Sequence, residues 1–363
     1  MRHNEALSLL KHGIASSRRT LLAMTELYGE TMLRKFLLIT LLISILAACA
    51  PQATPTSTPA LTEVPATEAP ATEALATEAP TETAAETTLT VTDGLGREVT
   101  LTGLPQRIIS LAPSNTEILY AIGAGEQVVG RDALSDFPEE SKSATDIGST
   151  FDALNTELIV SLHPDLILAA EINTPEQVKQ LEDLGLTVYY LKNPTTLEEM
   201  YDNLELVAQL TGHQEETATL IESLKARVAA VDEKIAPISS RPGVFYELDG
   251  TDPSKPYTAG KGTFITQLID RAGGYNIASD LEGYPQLSLE QVVAADPAFI
   301  ILGDARYGVS AESIAGRPGW ENLSAVKNGN VLPFNDDLVS RPGPRLVDAL
   351  EELAKILRPE LFE

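Results

Sequence analysis

The side chains that most often carry catalysis or bind metal ions are sparse in this 363-residue chain. Beyond residue 49 it has two histidines, His163 and His213, and each stands next to a proline or a glycine where a helix is expected to end. A zinc or manganese site needs several histidines and carboxylates around one ion, so we expect no such site. Haem held by an axial histidine is disfavoured for the same reason, whereas a tyrosine ligand to haem stays open.

Catalysis is the second kind of chemistry that the residues disfavour. The sequence has no G-x-S-x-G elbow, no H-E-x-x-H pair and no P-loop. Ser114, His163 and an aspartate can be combined into a hydrolase-like set, but nothing in the sequence brings them together. We therefore expect a binding protein without catalytic residues, and a hydrolase is the disfavoured alternative.

The single cysteine, Cys49, excludes an internal disulfide and a cysteine-based metal cluster. It follows a basic pair and the apolar run FLLITLLISILAA, the pattern of an export signal. LAAC, at residues 46–49, resembles the lipobox of bacterial lipoproteins, which implies cleavage before Cys49 and attachment of a diacylglyceryl group to its sulfur. Met32 is the more natural first residue of such a signal.

The segment after the cysteine has the composition of a tether. Residues 50–88 consist mostly of Thr, Ala, Pro and Glu, with almost nothing apolar to bury, which predicts disorder. The net charge of −26 disfavours binding to nucleic acid and to anionic membrane surfaces. We expect contact with the membrane through the lipid anchor only.

Two glutamates recur at one constant spacing. Residues 155–169, NTELIVSLHPDLILA, match residues 288–302, SLEQVVAADPAFIIL, at an offset of 133 positions. Each copy has a capping residue, a glutamate two positions later (Glu157 and Glu290), an apolar helix, a proline turn and a buried strand. The repeat indicates one βαβ component used twice. Two similar lobes leave a cleft between them, and such clefts are favoured small-molecule sites.

The elements that must position these residues alternate between strands and helices. LTVTDGLGREVTL, at 89–101, predicts a β-hairpin, and NTEILYAIGAG predicts a capped helix at 115–125. Apolar runs predict strands at 107–111, 127–130, 165–170, 187–191, 243–248, 298–302 and 330–334. This alternation predicts an α/β fold with mainly parallel sheets.

A helix over 214–235, about 33 Å long, is long enough to bridge two lobes. The predicted organisation has five segments and a monomeric state, because no feature requires oligomerisation. The segments are a signal peptide (1–48), a lipidated tether (49–88), an N-terminal lobe (89–212), a linking helix (213–237) and a C-terminal lobe (238–363).

Four blocks of the sequence resemble the cobalamin and ferric-siderophore binding proteins of ABC importers. The blocks occur in the family order within residues 89–363. They are SLAPSNTEILYAIGAGEQVVG, NTELIVSLHPDLILA, TAGKGTFITQLIDRAGGYNIASD and AVKNGNV with RPGPRLVDALEELAKILRPELF. The resemblance implies two α/β lobes joined by one long helix. It also implies an exported protein, on the periplasmic or cell-surface side, that delivers a small-molecule chelate to a permease and its ATPase.

The resemblance assigns a docking role to the repeated acids. One glutamate per lobe meets an arginine cluster of the permease in that family, and the matching positions are Glu157 and Glu290. An acidic residue in the first turn of a helix is also favoured by the helix dipole alone, so that interpretation stays open.

The resemblance also places the ligand contacts. Aromatic side chains offer stacking area to a flat macrocycle or a catecholate, and a few polar groups fix its orientation. The resemblance gives Phe151, Tyr257, Tyr284, Asp337 and Arg341 as these contacts. Ser114 and Asn115 are added because they follow the carboxyl end of a predicted strand. Ordinary packing of the aromatics and a mutual surface ion pair of Asp337 and Arg341 are the alternatives.

The sequence departs from the cobalamin-binding pattern at two positions. Leu134 and Ala170 stand where those relatives carry further aromatics, so the first lobe offers less stacking surface. A ferric siderophore therefore remains open beside a corrinoid, and Arg131, Arg306 and Arg341 are candidates to serve an anionic chelate. The cobalt or iron chelate is the cargo, and no cofactor or resident metal is expected. A haem-binding protein or a surface sensor of the same fold is the alternative function.

Overall fold

The structure is a computed structural model that describes residues 88–151 and 153–362. The predicted signal peptide, Cys49 and nearly all of the predicted tether lie outside the described residues. No helix in the described part of the chain combines the length and the apolar character needed to cross a membrane.

The described chain begins with the predicted β-hairpin. Strand β1 (Thr88–Thr92) pairs antiparallel with β2 (Glu98–Thr102). Oδ1 of Asp93 closes the turn by accepting hydrogen bonds from the backbone N–H groups of Leu95 and Arg97, at 3.0 and 2.9 Å. The hairpin prediction is therefore confirmed.

The first lobe contains a five-stranded sheet in the order β5-β4-β3-β6-β7, and all neighbouring strands are parallel. The central strands β3 and β6 are buried at every position rather than at alternate positions, as expected when both faces of a parallel sheet are covered. Its elements are β3 (Ile108–Ser110), α1 (Pro113–Ala121), β4 (Val128–Arg131), β5 (Thr145–Asp146), α2 (Thr156–Ser161), β6 (Leu166–Ala170), α3 (Pro175–Glu182), β7 (Val188–Leu191) and α4 (Leu197–Thr211).

Helix α1 begins earlier than predicted. Ala112 is the N-cap residue and makes no side-chain cap, and Pro113 follows it at the first helical position, where its fixed φ suits the helix and no amide hydrogen is needed. Asn115 was predicted to lie near the cap but is inside the first turn. The helix also ends at Ala121, earlier than the predicted 125, because Gly123, two residues further, adopts the left-handed conformation with φ of 93°.

The second lobe contains a four-stranded sheet in the order β11-β10-β8-β9, again with parallel neighbours. The chain enters it through helix α5 (Gln214–Ile235), which matches the predicted 214–235. The other elements are β8 (Gly243–Glu247), α6 (Phe264–Arg271), β9 (Tyr275–Asn276), α7 (Leu289–Ala295), β10 (Phe299–Leu302), α8 (Ala311–Ala315), α9 (Ser324–Lys327), β11 (Val331–Pro333), α10 (Asp337–Ser340) and α11 (Leu346–Leu357).

The sequence repeat corresponds to a structural repeat. The order β4-β3-β6-β7 of the first sheet matches β9-β8-β10-β11 of the second. Asn155 caps α2 and Ser288 caps α7, each by accepting a hydrogen bond from the backbone three residues later. Among the described residues, His163 and Asp296 are the two non-glycine residues with positive φ, and they are 133 positions apart. The prediction of two similar α/β lobes with parallel sheets is confirmed.

The two lobes share one hydrophobic core and each has a second core of its own. Alternate residues of a strand enter different cores: Leu166 and Leu168 of β6 face the shared core, while Ile167 faces the private core of the first lobe. Tyr246 of β8 faces the shared core and Phe245 faces the private core of the second lobe. The buried faces of α4, α5, α6 and α11 complete the shared core. The lobes are therefore fused along one side, and their cleft opens elsewhere.

Candidate functional site

A cavity of about 260 Å³ lies between the lobes. Its walls are formed by segments that follow the parallel strands: Ser114 comes after β3, Ala170 ends β6, Tyr307 comes after β10, and Asp337 comes after β11. The carboxyl edges of both sheets therefore meet at this cavity, which is where open α/β sheets bind ligands.

Four of the seven predicted ligand contacts line the cavity. They are Ser114 and Phe151 from the first lobe and Asp337 and Arg341 from the second lobe. Phe151 is 59% exposed, so its ring is available for stacking.

Asn115 does not line the cavity, which departs from the prediction. The side chain is fully buried, because α1 starts at Pro113 and turns this position toward the protein interior. Its amide nitrogen and oxygen have no hydrogen-bond partner among the described residues.

Tyr257 and Tyr284 are likewise absent from the walls of this cavity. Tyr257 is held by short antiparallel bridges to Asp249 and Gln286 and stays 44% exposed. The pKa of Tyr284 is raised, first by loss of hydration and then by the negative charges of Asp336 and Glu171, which belong to opposite lobes. The side chain of Tyr284 is 54% exposed.

Arg341 is the centre of an ion-pair cluster that connects the lobes. The guanidinium is 9% exposed, and its Nη1 donates to Asp136 at 2.7 Å and to Glu117 at 3.3 Å. Glu117 is almost fully buried and also accepts from Nε of Arg345 at 2.7 Å. Burial raises the pKa of Glu117, while the two arginines act in the opposite direction. The surface ion pair considered for Arg341 and Asp337 is thus one edge of a buried interlobe network.

Of the other positions that the sequence analysis singled out for the ligand site, three line the cavity and one, Arg131, does not. Leu134 and Ala170 line the cavity. The wall is therefore aliphatic at the two positions where the cobalamin-binding relatives carry aromatic side chains. Arg306 also lines it and pairs with Asp337. Arg131 lies outside the cavity wall and approaches Asp146 at 3.7 Å.

Sequence reasoning missed seven wall residues: Ala112, Pro113, Ile172, Asn193, Tyr307, Ser340 and Pro342. Asn193 and Tyr307 follow predicted strands, so the rule that ligand sites lie beyond the carboxyl ends of parallel strands was a usable signal. Tyr307 is 80% exposed and provides aromatic surface from the second lobe.

A second cavity, of about 480 Å³, shares Tyr307 with the first. Asp249, Gly250 and Asp304 line it. Gly250 is packed so closely on the buried ion pair of Glu247 and Arg317 that a Cβ atom would overlap both side chains. Burial raises the pKa of Asp304, and the Gly250 backbone N–H opposes this by donating to its carboxylate at 2.8 Å.

The repeated glutamates are exposed at the start of equivalent helices. Glu157 and Glu290 lie in the first turns of α2 and α7, and neither forms an ion pair with a described residue. Hydrogen bonds from its own backbone N–H and from Ser288 lower the pKa of Glu290. One turn further, Val160 and Val293 are 39% and 44% exposed, again at an offset of 133. Residues three apart share a helix face, so each helix presents an acid beside an apolar side chain.

No group of three or more His, Cys, Asp or Glu side chains in the described part of the chain is arranged to hold a metal ion. The cavity therefore offers aromatic, aliphatic and hydrogen-bonding surface to a bound molecule.

Comparison with known proteins gives consistent relatives. The family model described as periplasmic binding protein matches residues 108–338. A Bacillus subtilis protein named uncharacterized ABC transporter substrate-binding lipoprotein YvrC is 35% identical over 76% of this chain and 87% of its own. A vitamin B12-binding protein of Pectobacterium atrosepticum is 34% identical over 70% of this chain and 89% of its own.

Solved structures show the same architecture. The periplasmic heme-binding protein RhuT of Roseiflexus is 30% identical, with a TM-score of 0.63 over 70% of this chain and 99% of that chain. The periplasmic vitamin B12 binding protein BtuF of Vibrio cholerae is 31% identical, with a TM-score of 0.60 over 71% of this chain and 99% of that chain.

Proposed function

Because the chain belongs to the periplasmic binding protein family, we propose that it captures a metal chelate, a corrinoid or a ferric siderophore, for an ABC importer. It works outside the cytoplasm and hands its ligand to a membrane permease that is driven by an ATPase. The observation that carries the proposal is the cavity at which the carboxyl edges of the two parallel sheets meet.

The cavity suits a ligand that is held by its faces rather than enclosed. Its volume of about 260 Å³ lies just below the range of about 300–1,000 Å³ that is usual for the pockets of drug-sized ligands. A macrocycle therefore extends beyond it, and the exposed rings of Phe151 and Tyr307, one from each lobe, supply stacking surface. The shared core argues for lobes that move little when the ligand binds.

Delivery requires a surface that the permease recognises. Glu157 and Glu290 are exposed, lack ion-pair partners among the described residues and occupy equivalent positions, one in each lobe. A permease with two similar subunits would meet each acid with an arginine cluster, since bidentate arginine–carboxylate pairs are strong and specific. Val160 and Val293 would add apolar contact on the same helix faces.

The anchor completes the proposed arrangement. Attachment of a lipid to Cys49 would hold the protein at the membrane surface, and the acidic tether would keep the folded part clear of that surface. The protein is expected to act as a monomer that engages the permease and its ATPase.

Calorimetry of the purified protein tests the ligand class. The panel contains cobalamin, cobinamide, haem, and ferric complexes of a catecholate and a hydroxamate siderophore. We expect at least one to bind with a Kd of about 1 μM or lower, which corresponds to about −8 kcal/mol. No binding across the whole panel would remove the proposed function.

A further inference from the structure

The two arginines in the cavity wall are already neutralised by the protein. Arg341 is 9% exposed and uses Nη1 for Glu117 and Asp136, while Nη2 lies 3.3 Å from Oδ1 of Asp337. Nη1 of Arg306 donates to the same Asp337 oxygen at 2.5 Å. Among the residues that the structure describes, no other cationic side chain lines this cavity. An anionic ligand therefore finds no unpaired cation there.

The neighbouring cavity adds negative charge only. Its described walls include Asp249 and Asp304 and no arginine or lysine from residues 88–151 or 153–362. Tyr307 lines both cavities, so the two adjoin at this side chain, and together they are called the groove. Counted together, the groove walls carry three aspartates and two arginines, and both arginines are paired.

We propose that this groove selects chelates without net negative charge whose edges carry N–H donors, as the amide side chains of a corrinoid do. This inference rests on the proposed function and specifies its ligand class. A carboxylate on the ligand would face Asp249 and Asp304, neither of which forms an ion pair with a described residue, and like charges repel at short range.

Pairing such a ligand with Arg341 would not relieve the repulsion. Arg341 would have to leave Glu117, which is 1% exposed in its side chain, and removing one partner of a buried ion pair is strongly unfavourable. Amide N–H groups, in contrast, can donate to carboxylate oxygens without disturbing these pairs. Haem propionates and ferric catecholates are disfavoured by the same argument.

A matched pair of ligands tests the inference directly. Cobinamide and cobyrinic acid share the corrin ring and the cobalt, but cobyrinic acid carries carboxylic acids where cobinamide carries amides. At pH 7.5 we expect the purified protein to bind cobyrinic acid about tenfold or more weakly, because repulsion in the groove adds to the lost donors. Added salt should narrow the difference, since exposed charges are screened.

Variants locate the effect in the groove. Asp249→Asn combined with Asp337→Asn should narrow the difference between the two ligands, because both substitutions remove negative charge from the walls. Asp249→Asn alone is tested as well, because Asp249 is exposed and its substitution is expected to leave the fold intact. Asp252→Asn is the control, because Asp252 is in the same loop but lines neither cavity.

The outcomes separate the two proposals. Equal binding of cobinamide and cobyrinic acid, or tighter binding of haem or a ferric catecholate, would overturn the charge selectivity while the import function stands. An unchanged preference in the double aspartate variant would remove the groove as its source. If the protein binds none of the chelates in the panel, the result would instead count against the proposed function itself.

Discussion

The first and second lobes carry the same helix start and the same turn before a central strand, yet they contribute different walls to the cleft. Both lobes have a capped helix, an exposed glutamate, an exposed valine and a left-handed residue before a proline. In the cavity wall the first lobe supplies uncharged side chains such as Phe151 and Ala170, and every charged residue, including Asp337, comes from the second lobe.

The similar helix starts and the different cavity walls indicate that the membrane partner and the ligand contact different surfaces of the protein. A partner with two similar subunits would make similar demands on both lobes, so the repeated helices are the proposed contact with it. A ligand presents different groups to the two sides of the cleft, so the walls are free to differ. The feature that joins the unlike parts is Glu117 of the first lobe, which bonds to Arg341 and Arg345 of the second.

The largest expected effect comes from breaking that junction. Glu117→Ala leaves Arg345 without an ion-pair partner among the described residues and removes one of the three carboxylates around the buried Arg341. We expect the free energy of unfolding to fall by about 3–5 kcal/mol. Urea denaturation measures it. Glu140→Ala is the control, because Glu140 lies beside the same interlobe crevice but is exposed. A loss below about 1 kcal/mol, the range of surface pairs, would show that the network does not hold the lobes together.

The second prediction concerns the two repeated glutamates, Glu157 and Glu290. Glu157→Ala combined with Glu290→Ala should leave chelate affinity unchanged and reduce uptake by about tenfold or more, since each removed charge loses a proposed arginine partner. Uptake of radiolabelled ligand by cells and calorimetry of the purified variant provide the two measurements.

A matched control comes from other helix starts. Glu176 and Glu312 are exposed acids in the first turns of α3 and α8, one per lobe, and they are not part of the repeat. Glu176→Ala with Glu312→Ala should keep normal uptake. Lost ligand binding in the Glu157 and Glu290 variant would instead assign those residues to the pocket or to folding.

The smallest expected effect comes from the exposed valines beside these glutamates, Val160 and Val293. Val160→Ser with Val293→Ser removes exposed apolar surface from both helices, and about 1 kcal/mol of docking energy, or roughly fivefold in uptake, is expected to disappear. Leu184→Ser is the control, because Leu184 is 50% exposed outside the repeat. If uptake is unchanged, docking relies on the acids alone.

Local patterns in the sequence predicted much of the fold because helices and strands have short, distinct periods. The repeat, the strands and the bounds of α5 are present as predicted. The start of α1 was misplaced because Pro113, rather than a polar cap, begins it. As a consequence, Asn115 is buried and does not line the cavity, although it was predicted to contact the ligand.

The candidate site was predictable only in part. Ser114, Phe151, Asp337 and Arg341 line the cavity, whereas Tyr307 was missed although it follows a predicted strand. Whether a side chain after a strand points into the cleft depends on the turn that follows, and no short-range periodicity reports it.

The sequence by itself determined the alternation of strands and helices, the duplicated segment and the position of one exposed acid in each copy. Tertiary structure alone decided that Arg341 is neutralised, because its partner Glu117 is 224 positions away in the chain. Charges so far apart in sequence interact only after packing has brought them together and excluded water from between them. The charge that the groove presents to a ligand is therefore a property of the folded protein.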